Sequence, residues 1–336
     1  MAINILGEYE LNMQQPLDIV IAWVDGNDAE LQQKRQHYLG QTSEKTEATR
    51  YAHNNEIYYN IASILKYVPY VRHIYVVTDQ QKPLWLDEFE KQGLAVKDQI
   101  KIIDHQVLFA GYQQYLPTFN SLSIEMMLWN IPDISPYFLY LNDDFFFNAP
   151  SAVEDFIEDG HVKVYGHWQS NKALKMKFKW RDWLNKKFKK IPKAKYTMAQ
   201  MLSADVLGLD RYFEIHHRPH VVVQQKLAEF FKAHPQLLIE QISPRFRSFY
   251  QFLPVGLSNH LCIQSQQATL LSDIQLVYLK NAEGIETFKQ ALQNMNIPYG
   301  CVQSLDQFSA EQRQHVIEAL NAKFNGYLPQ SLLGQE

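Results

Sequence analysis

The chain has 336 residues, 46% of them hydrophobic, enough to bury one large core or a domain with an insertion. Its formal net charge of −4 leaves no nucleic-acid footprint over the chain as a whole. Cys262 and Cys301 are too far apart for a metal spacing, no apolar run approaches a membrane span, and MAINILGEYELNMQQ lacks the basic and apolar stretches of a secretory leader. The expectation is a cytoplasmic protein, free to rest on the inner face of a membrane.

In chain order, DIVIAWV (18–24) reads as a buried strand and AELQQKRQHYL (29–39) as a polar helix. NNEIYYNIASILKYV (54–68) sets Ile57, Ile61, Ile64 and Leu65 at helical spacing, and Pro69 ends it. HIYVVT (73–78) is a strand, PLWLDEFEKQ (83–92) a helix opened by Pro83, and IKIID (100–104) a strand. SLSIEMMLWNI (121–131) is a helix and YFLYLN (137–142) a strand. Continuous apolar strands alternating with helices predict a Rossmann-like α/β fold, a mostly parallel sheet with helices on both faces. Near the end, LVYLK (276–280), IETFKQALQNMN (285–296) and AEQRQHVIEALNAKF (310–324), capped by Ser309, read as a strand and two helices packed on the same sheet. Residues 1–150 and 196–336 are read as the catalytic α/β domain, interrupted by a basic strand-helix insertion at 151–195.

In open α/β sheets, ligands bind at the carboxyl ends of the strands. There this sequence places Asp25-Gly26, Asp79, Asp104-His105 and Asn142-Asp143-Asp144. A single aspartate at such a point reads as a helix cap or turn residue, and Asp79 and Asp104 are taken so. The adjacent pair in FLYLNDDFFF differs, because two like charges among apolar residues repel and are costly to bury. Mg²⁺, Mn²⁺ or Ca²⁺ would compensate them, since hard cations take carboxylate oxygens. The residues alone suggest a metal-dependent transferase with a phosphorylated substrate.

WVDGND (23–28), RHIYVVTDQQKPLWL (72–86), TFNSLSIEMMLWNIPDISPYFLYLNDDFFF (118–147) and HHRPHVVVQQKL (216–227) resemble, in order, the four blocks of the Stealth family. That family comprises sugar-phosphate transferases: bacterial capsular and exopolysaccharide phosphotransferases and the animal lysosomal-enzyme N-acetylglucosamine-1-phosphotransferase. The resemblance runs from about residue 18 to 250. It implies transfer of hexose-1-phosphate from a UDP-hexose, with UDP-N-acetylhexosamine foremost, to a saccharide hydroxyl that belongs to an oligo- or polysaccharide and can be lipid-linked. UMP would leave and a phosphodiester would form, with Mg²⁺ or Mn²⁺ as the cation.

Carried over by position, the resemblance implies roles for Asp25, Gly26 and Asp28 in the first block and Arg50 and Glu56 in the second. Asn120, Ser121, Glu125, Asn142, Asp143 and Asp144 stand in the third. His217 and Pro219 stand in the fourth, with Arg245 or Arg247 just beyond. Asp143 and Asp144 are the expected metal ligands, Asn142 orients a phosphate or hydroxyl, and His217 is the expected general base with Asp25 as its rival. Arg245 and Arg247 alternate with Phe246; if extended, they share a face and could clamp phosphate oxygens. The other block residues are expected to bind substrate. His53, His105, His216 and His220 read as structural or solvent-exposed, though His105 is on the correct sheet edge. The sequence also departs from the family: Tyr58 and Ala62 replace two arginines of a usual ELRYSLRSI, and Leu122 stands where histidine is common. If those arginines hold donor phosphates, the task falls here to Arg50, Arg72 or the Arg245–Arg247 pair.

Residues 172–195 hold eleven Lys or Arg and one Asp. Leu174 to Trp180 alternates with a strand's period; Trp180, Trp183, Leu184, Phe188 and Ile191 then fall on one helical face. Three readings stand open: a solvated face, contact with an anionic membrane, or a grip on a phosphate-rich polymer. Two other functions also stand open. One is a metal-dependent glycosyltransferase that releases UDP; the other is a non-catalytic polysaccharide-binding protein, which the 13% aromatic content would suit.

Overall fold

The computed structural model describes residues 17–39, 54–188 and 195–334. Its centre is a five-stranded sheet. Four strands are parallel: β1 (Leu17–Ala22), β2 (Val71–Thr78), β3 (Ile100–Asp104) and β4 (Tyr137–Asn142), in the order β4-β1-β2-β3. The edge strand His220–Val223 runs antiparallel against β4. Ile19, Val20, Ile21, Phe138 and Leu139 are buried, as expected for strands covered on both faces. Mixed α/β architecture with a mostly parallel sheet is therefore the observed fold.

Asp18 is the exception within β1. Its buried carboxylate takes Arg72 Nε at 2.9 Å and Nη2 at 2.6 Å, and the Ser135 amide at 2.7 Å. This bidentate pair ties β1 to β2 and to the turn before β4. Arg72 is thus spent on the scaffold, at the end of the sheet away from the strands' carboxyl termini.

The helices Ala29–Leu39 and Glu56–Tyr67 form as the sequence predicts. Two others are shorter than predicted. The segment 83–92 is helical only at Glu88–Lys91. The segment 121–131 splits into a helix, Ser121–Glu125, and a tighter turn, Leu128–Asn130. Met126, Met127 and Leu128 are all buried, and three consecutive residues cannot share one face of an α-helix. The chain tightens instead, with Met127 N to Ile124 O at 3.0 Å and Asn130 N to Met127 O at 2.8 Å.

The C-terminal strand does not join the central sheet as expected. After β4 the chain turns through Asp143 and Asp144 into β5 (Phe145–Phe147). This strand pairs with Tyr299–Val302, which pairs in turn with Leu276–Leu279, forming a separate three-stranded sheet. The sequence reading had no sign of β5, because FFF continues the apolar run of β4. Gly300 permits the close approach: a Cβ there would lie 2.0 Å from Phe146 Cζ. The helix Ala310–Lys323 carries the predicted cap, with Gln312 N donating to Ser309 Oγ at 3.2 Å and Ser309 N donating to Gln312 Oε1 at 3.0 Å.

The basic segment also differs. Asn171–Phe188 is one helix, without the strand read at its start. Leu174 and Phe178, four residues apart, pack on the group formed by Met198, Met201 and Tyr212, and Phe178 stacks on Phe249 at 4.5 Å. Trp180 and Trp183 face outward, 61% and 54% exposed. Ile191, Lys189 and Lys190 lie outside the described residues. No helix among the described residues is long and apolar enough to cross a membrane.

Candidate active site

A cavity of about 520 Å³ opens at the carboxyl edge of the central sheet. That volume is ordinary for a small-ligand site. Ala22 ends β1 and Asn142 ends β4 in register with each other, and both line it. The antiparallel edge strand matters here. It begins where β4 ends, with His220 opposite Tyr140, so the loop before it, carrying His217 and Arg218, reaches the same edge.

One wall is acidic. Glu56, Asp143 and Asp144 line it together with Asn142. Asn142 is held twice: its Oδ1 accepts from Tyr140 OH at 3.0 Å and its carbonyl from Asn60 Nδ2 at 2.9 Å. Asp144 is backed by the second sheet, where Val302 N donates to its carbonyl at 3.0 Å and Cys301 Sγ lies 3.5 Å from Oδ2. Its Oδ1 is buried with no hydrogen-bond partner. Both aspartates keep some surface open to the cavity, yet little water surrounds them. Burial, then the Asp144 charge, then Glu56, lift Asp143 well above the ordinary carboxylate range. Burial lifts Asp144 to about 6, against contacts with Cys301 and Gln303 that lower it. Glu56 is raised by burial too, opposed by bonds from Asn54, whose amide donates at 2.6 Å.

An oxygen-only donor set, an excess of negative charge and an orphaned Asp144 oxygen fit a hard divalent cation. The pocket acids do not bring three ligand atoms into one cluster. Among the described residues only His167, His216 and Asp273 do so, with His167 Nδ1 2.9 Å and His216 Nε2 3.5 Å from Asp273 Oδ2. That exposed group is a different place from the pair singled out in the sequence. A cation on Asp143 and Asp144 would complete its shell with substrate or water oxygens, as Mg²⁺ commonly does.

The rest of the lining includes basic and aromatic residues. Arg247 reaches Ser121 Oγ with Nη2 at 2.6 Å and Nε at 3.2 Å. Buried Glu125 lies behind it. Desolvation raises that carboxyl to about 7, opposed by Arg247 and by hydrogen bonding with Tyr140 and Ser121. The His217 ring stacks on Tyr196 at 4.2 Å. Desolvation, then Arg247 and His216, hold its pKa below the ordinary imidazole value, so it is neutral near pH 7.

The residues singled out from sequence thus divide. Glu56, Ser121, Glu125, Asn142, Asp143, Asp144, His217 and Arg247 line one cavity. Asp25, Gly26, Asp28, Asn120 and Arg245 are not among its lining residues. Asp25 Oδ1 accepts from Asn27 N at 2.8 Å, and Gly26 O accepts from Gln32 Nε2 at 2.9 Å. Asp28 Oδ1 accepts from Leu31 N at 2.7 Å at the start of the first helix. Asn120 Nδ2 donates to the Pro244 and Phe246 carbonyls and to Gln251. Residues 245–247 form a bend, not a strand, so the two arginines part: Arg245 donates to Pro117 O and lies over Tyr38 at 4.4 Å. Arg50 and His53 lie outside the described residues. Asp104 is the cap it was taken to be, accepting from Gln106 N at 2.8 Å. His105 and His220, read as structural or exposed, are buried and line the cavity; Tyr140, Arg218 and the half-buried Tyr196 line it too.

The chain matches two family models, Stealth protein CR1, conserved region 1, over residues 15–43, and Stealth protein CR2, conserved region 2, over residues 50–165. The resemblance read from the sequence is borne out over these regions, while the stretch carrying His217 lies beyond both. Capsular polysaccharide phosphotransferase cps1A of Actinobacillus pleuropneumoniae is 41% identical over 167 residues, 48% of this chain and 43% of that protein. Capsular polysaccharide phosphotransferase LcbA of Neisseria meningitidis is 40% identical over 144 residues, 42% of this chain and 37% of its own. Exopolysaccharide phosphotransferase SCO6023 of Streptomyces coelicolor is 37% identical over 152 residues, 45% of this chain and 25% of its own. The chain thus spans less than half the length of these relatives. The solved galactosyltransferase LgtC, in complex with donor and acceptor sugar analogues, aligns over 95% of this chain and 100% of its own at 12% identity. Its TM-score is 0.45, a likeness too weak to carry an argument.

Proposed function

We propose that this chain, which carries Stealth conserved regions 1 and 2, transfers hexose-1-phosphate from a UDP-hexose to a saccharide hydroxyl in the synthesis of a phosphodiester-linked polysaccharide. The observation that carries the reading is one cavity lined both by the acids of the matched region, Asp143 and Asp144, and by His217 and Arg247. The named activity of the relatives in capsular and exopolysaccharide phosphotransfer supports it.

The acceptor oxygen attacks the phosphorus next to the hexose. A new P–O bond forms, the P–O–P bond breaks, and UMP leaves with the bridging oxygen. Such chemistry needs position, charge neutralisation and a path for one proton. A divalent cation, when held by Asp143 and Asp144, would neutralise phosphate charge. His217, neutral near pH 7, takes the acceptor hydroxyl proton on a ring nitrogen, and Tyr196 holds the imidazole plane. Arg247, anchored on Ser121, offers charge to phosphate oxygens in the same cavity. Asn142 supplies polarity without adding a third negative charge. The helix Asn171–Phe188 is assigned no chemistry; its lysines and outward tryptophans hold the growing anionic chain or anionic lipid.

A panel of UDP-sugars with a saccharide acceptor, followed by phosphorus NMR, tests the reaction. A new phosphodiester resonance with stoichiometric UMP is the expected result. Release of UDP without a phosphodiester would make the chain a glycosyltransferase, and no turnover of any nucleotide sugar would leave a binding protein.

A further inference from the structure

Arg218 is 6% exposed and lines the cavity. Its guanidinium carbon lies 3.9 Å from the ring centre of Tyr165 and 5.9 Å from that of Tyr299. Its Nε and Nη1 are buried without a hydrogen-bond partner. A buried cation of this kind costs several kcal/mol unless it is paired and its donors are met. The tyrosine faces attract the charge, but a π-face is a poor substitute for the oxygen acceptors that a planar fork of five N–H donors calls for. Asp273 acts on Arg218 electrostatically, yet its Oδ2 is 2.9 Å from His167 Nδ1. The loop neighbours on either side of Pro219 and Arg218 are His217 and His220, which add no negative charge.

Of the other arginines weighed from the sequence, the three among the described residues are engaged, while Arg50 lies outside them. Arg72 is paired with Asp18, and Arg245 with the Pro117 carbonyl. Arg247 binds Ser121. The family's two arginine positions hold Tyr58 and Ala62, both buried and neither lining the cavity. The cavity therefore combines an acid wall short of positive charge with a buried guanidinium short of an anion.

We propose that Arg218 is a phosphate-binding residue of this cavity, taking oxygens of a diphosphate whose far side faces Asp143 and Asp144. That the diphosphate belongs to a nucleotide sugar rests on the function proposed above; the binding of a phosphate anion at Arg218 does not.

Inorganic pyrophosphate with Mg²⁺, titrated into the full chain, is the probe. The Arg218 Nε–H resonance, assigned by its loss in Arg218→Lys, should shift saturably in the wild type. Calorimetry should show affinity falling about thirtyfold or more in Arg218→Met, the scale for removing one partner of a buried charge pair. Arg218→Lys should fall between, and binding of uncharged uridine should be unchanged in all three. An unmoved Nε–H resonance at saturation overturns the proposal, and needs no variant to fold. Wild-type pyrophosphate affinity in a folded Arg218→Met overturns it too, as does a response to glucuronate but not to pyrophosphate, which would make the site a carboxylate site. If pyrophosphate binds through Arg218 while no UDP-sugar yields a phosphodiester, this inference stands and the reaction falls. A phosphodiester formed at the wild-type rate and donor affinity by Arg218→Met gives the opposite outcome.

Discussion

Tyr140 OH donates to Asn142 Oδ1 across 3.0 Å, two residues along the same strand and so on the same face of β4. The amide oxygen is thereby occupied, and among the described residues no acceptor meets the amide NH₂. Tyr140→Phe should release that orientation. Turnover should drop by about tenfold or more, while stability changes by only about 2 kcal/mol, the net worth of the bonds that the hydroxyl makes to Asn142 and Glu125. Steady-state kinetics beside urea unfolding would separate the two. Unchanged turnover would mean that Asn142 needs no orientation.

Asp143→Asn and Asp144→Asn should each abolish transfer without weakening the fold. Burial holds both carboxyls above their ordinary range, and the charges of Asp144 and Glu56 lift Asp143 further, so a neutral amide relieves a cost that is present at pH 8. Melting temperatures at pH 8 should equal or exceed the wild type. Chelator should also abolish transfer, with rescue by Mg²⁺ or Mn²⁺. Full activity in excess chelator, with metal-free protein verified by elemental analysis, would remove the cation from the mechanism.

His217→Ala should lose at least about a hundredfold in turnover, the scale of general acid–base assistance, with little change in donor binding. The His217 pKa lies below the ordinary imidazole value of 6.5, so the base is competent at neutral pH and its activity falls on the acid side of that value. The acid limb of the pH–rate profile should vanish in the variant. A limb that persists with the same midpoint would point to another base.

Glu125 makes a prediction about stability. Burial raises it from 4.5 to about 7, so the folded chain keeps a proton that the unfolded chain has released between those values. Its contribution is complete below pH 4.5, declines as pH rises toward 7 and is flat beyond. Glu56, Asp143 and Asp144 are raised as well and act with the same sign. The acids' share of the unfolding free energy should therefore fall from pH 4.5 to 7, while the histidines His105, His217, His220 and His260, whose pKa values are lowered, act with the opposite sign up to 6.5. Glu125→Gln should remove up to about 3 kcal/mol of that fall and be the more stable protein at pH 8. Parallel slopes for the two proteins would show that Glu125 does not carry the proton.

For the basic helix, Trp180→Ser with Trp183→Ser, Lys186→Gln and Lys187→Gln should weaken sedimentation with anionic vesicles or binding of long anionic acceptors. A short neutral acceptor should be used almost as before. Exposed charge attraction is screened within about 8 Å at physiological ionic strength, so the salt sensitivity of elongation should fall with it. Wild-type affinity for both vesicles and polymer would leave the helix a solvated face.

The parallel strands were legible because burial on both faces writes an unbroken apolar run, as in Ile19 to Ile21. The acid pair was legible because two adjacent charges are hard to account for as caps. Other features were hidden for physical reasons. Leu174 and Phe178 satisfy a strand's period and a helix's i,i+4 spacing alike, and only the Met198–Met201 surface decides between them. Asp28, Asn120 and Arg245 bond backbone groups, and a polar side chain that serves the backbone looks in sequence like one that faces a ligand. The FFF of β5 gave no boundary after β4. Arg218 was passed over between His217 and Pro219 because burial of a charged residue is a tertiary outcome, with no local pattern to announce it.

Asn142 closes β4 in the first sheet and Phe145 opens β5 in the second, so Asp143 and Asp144 are the whole of the chain that bridges them. Both ends are fixed in register, Ala22 to Asn142 on one side and Cys301 to Phe145 on the other. Strand alternation has a period of two, so a one-residue insertion or deletion in the bridge would exchange the faces of β5 and take Phe146 out of the notch above Gly300. The bridge works as a caliper whose length is as constrained as its charge. Substitution there alters chemistry while leaving both sheets seated, whereas a single-codon indel would unseat the second sheet and the helix Ile285–Leu292 packed beside it. Length variation in this protein is expected to gather in its loops and to spare that dipeptide.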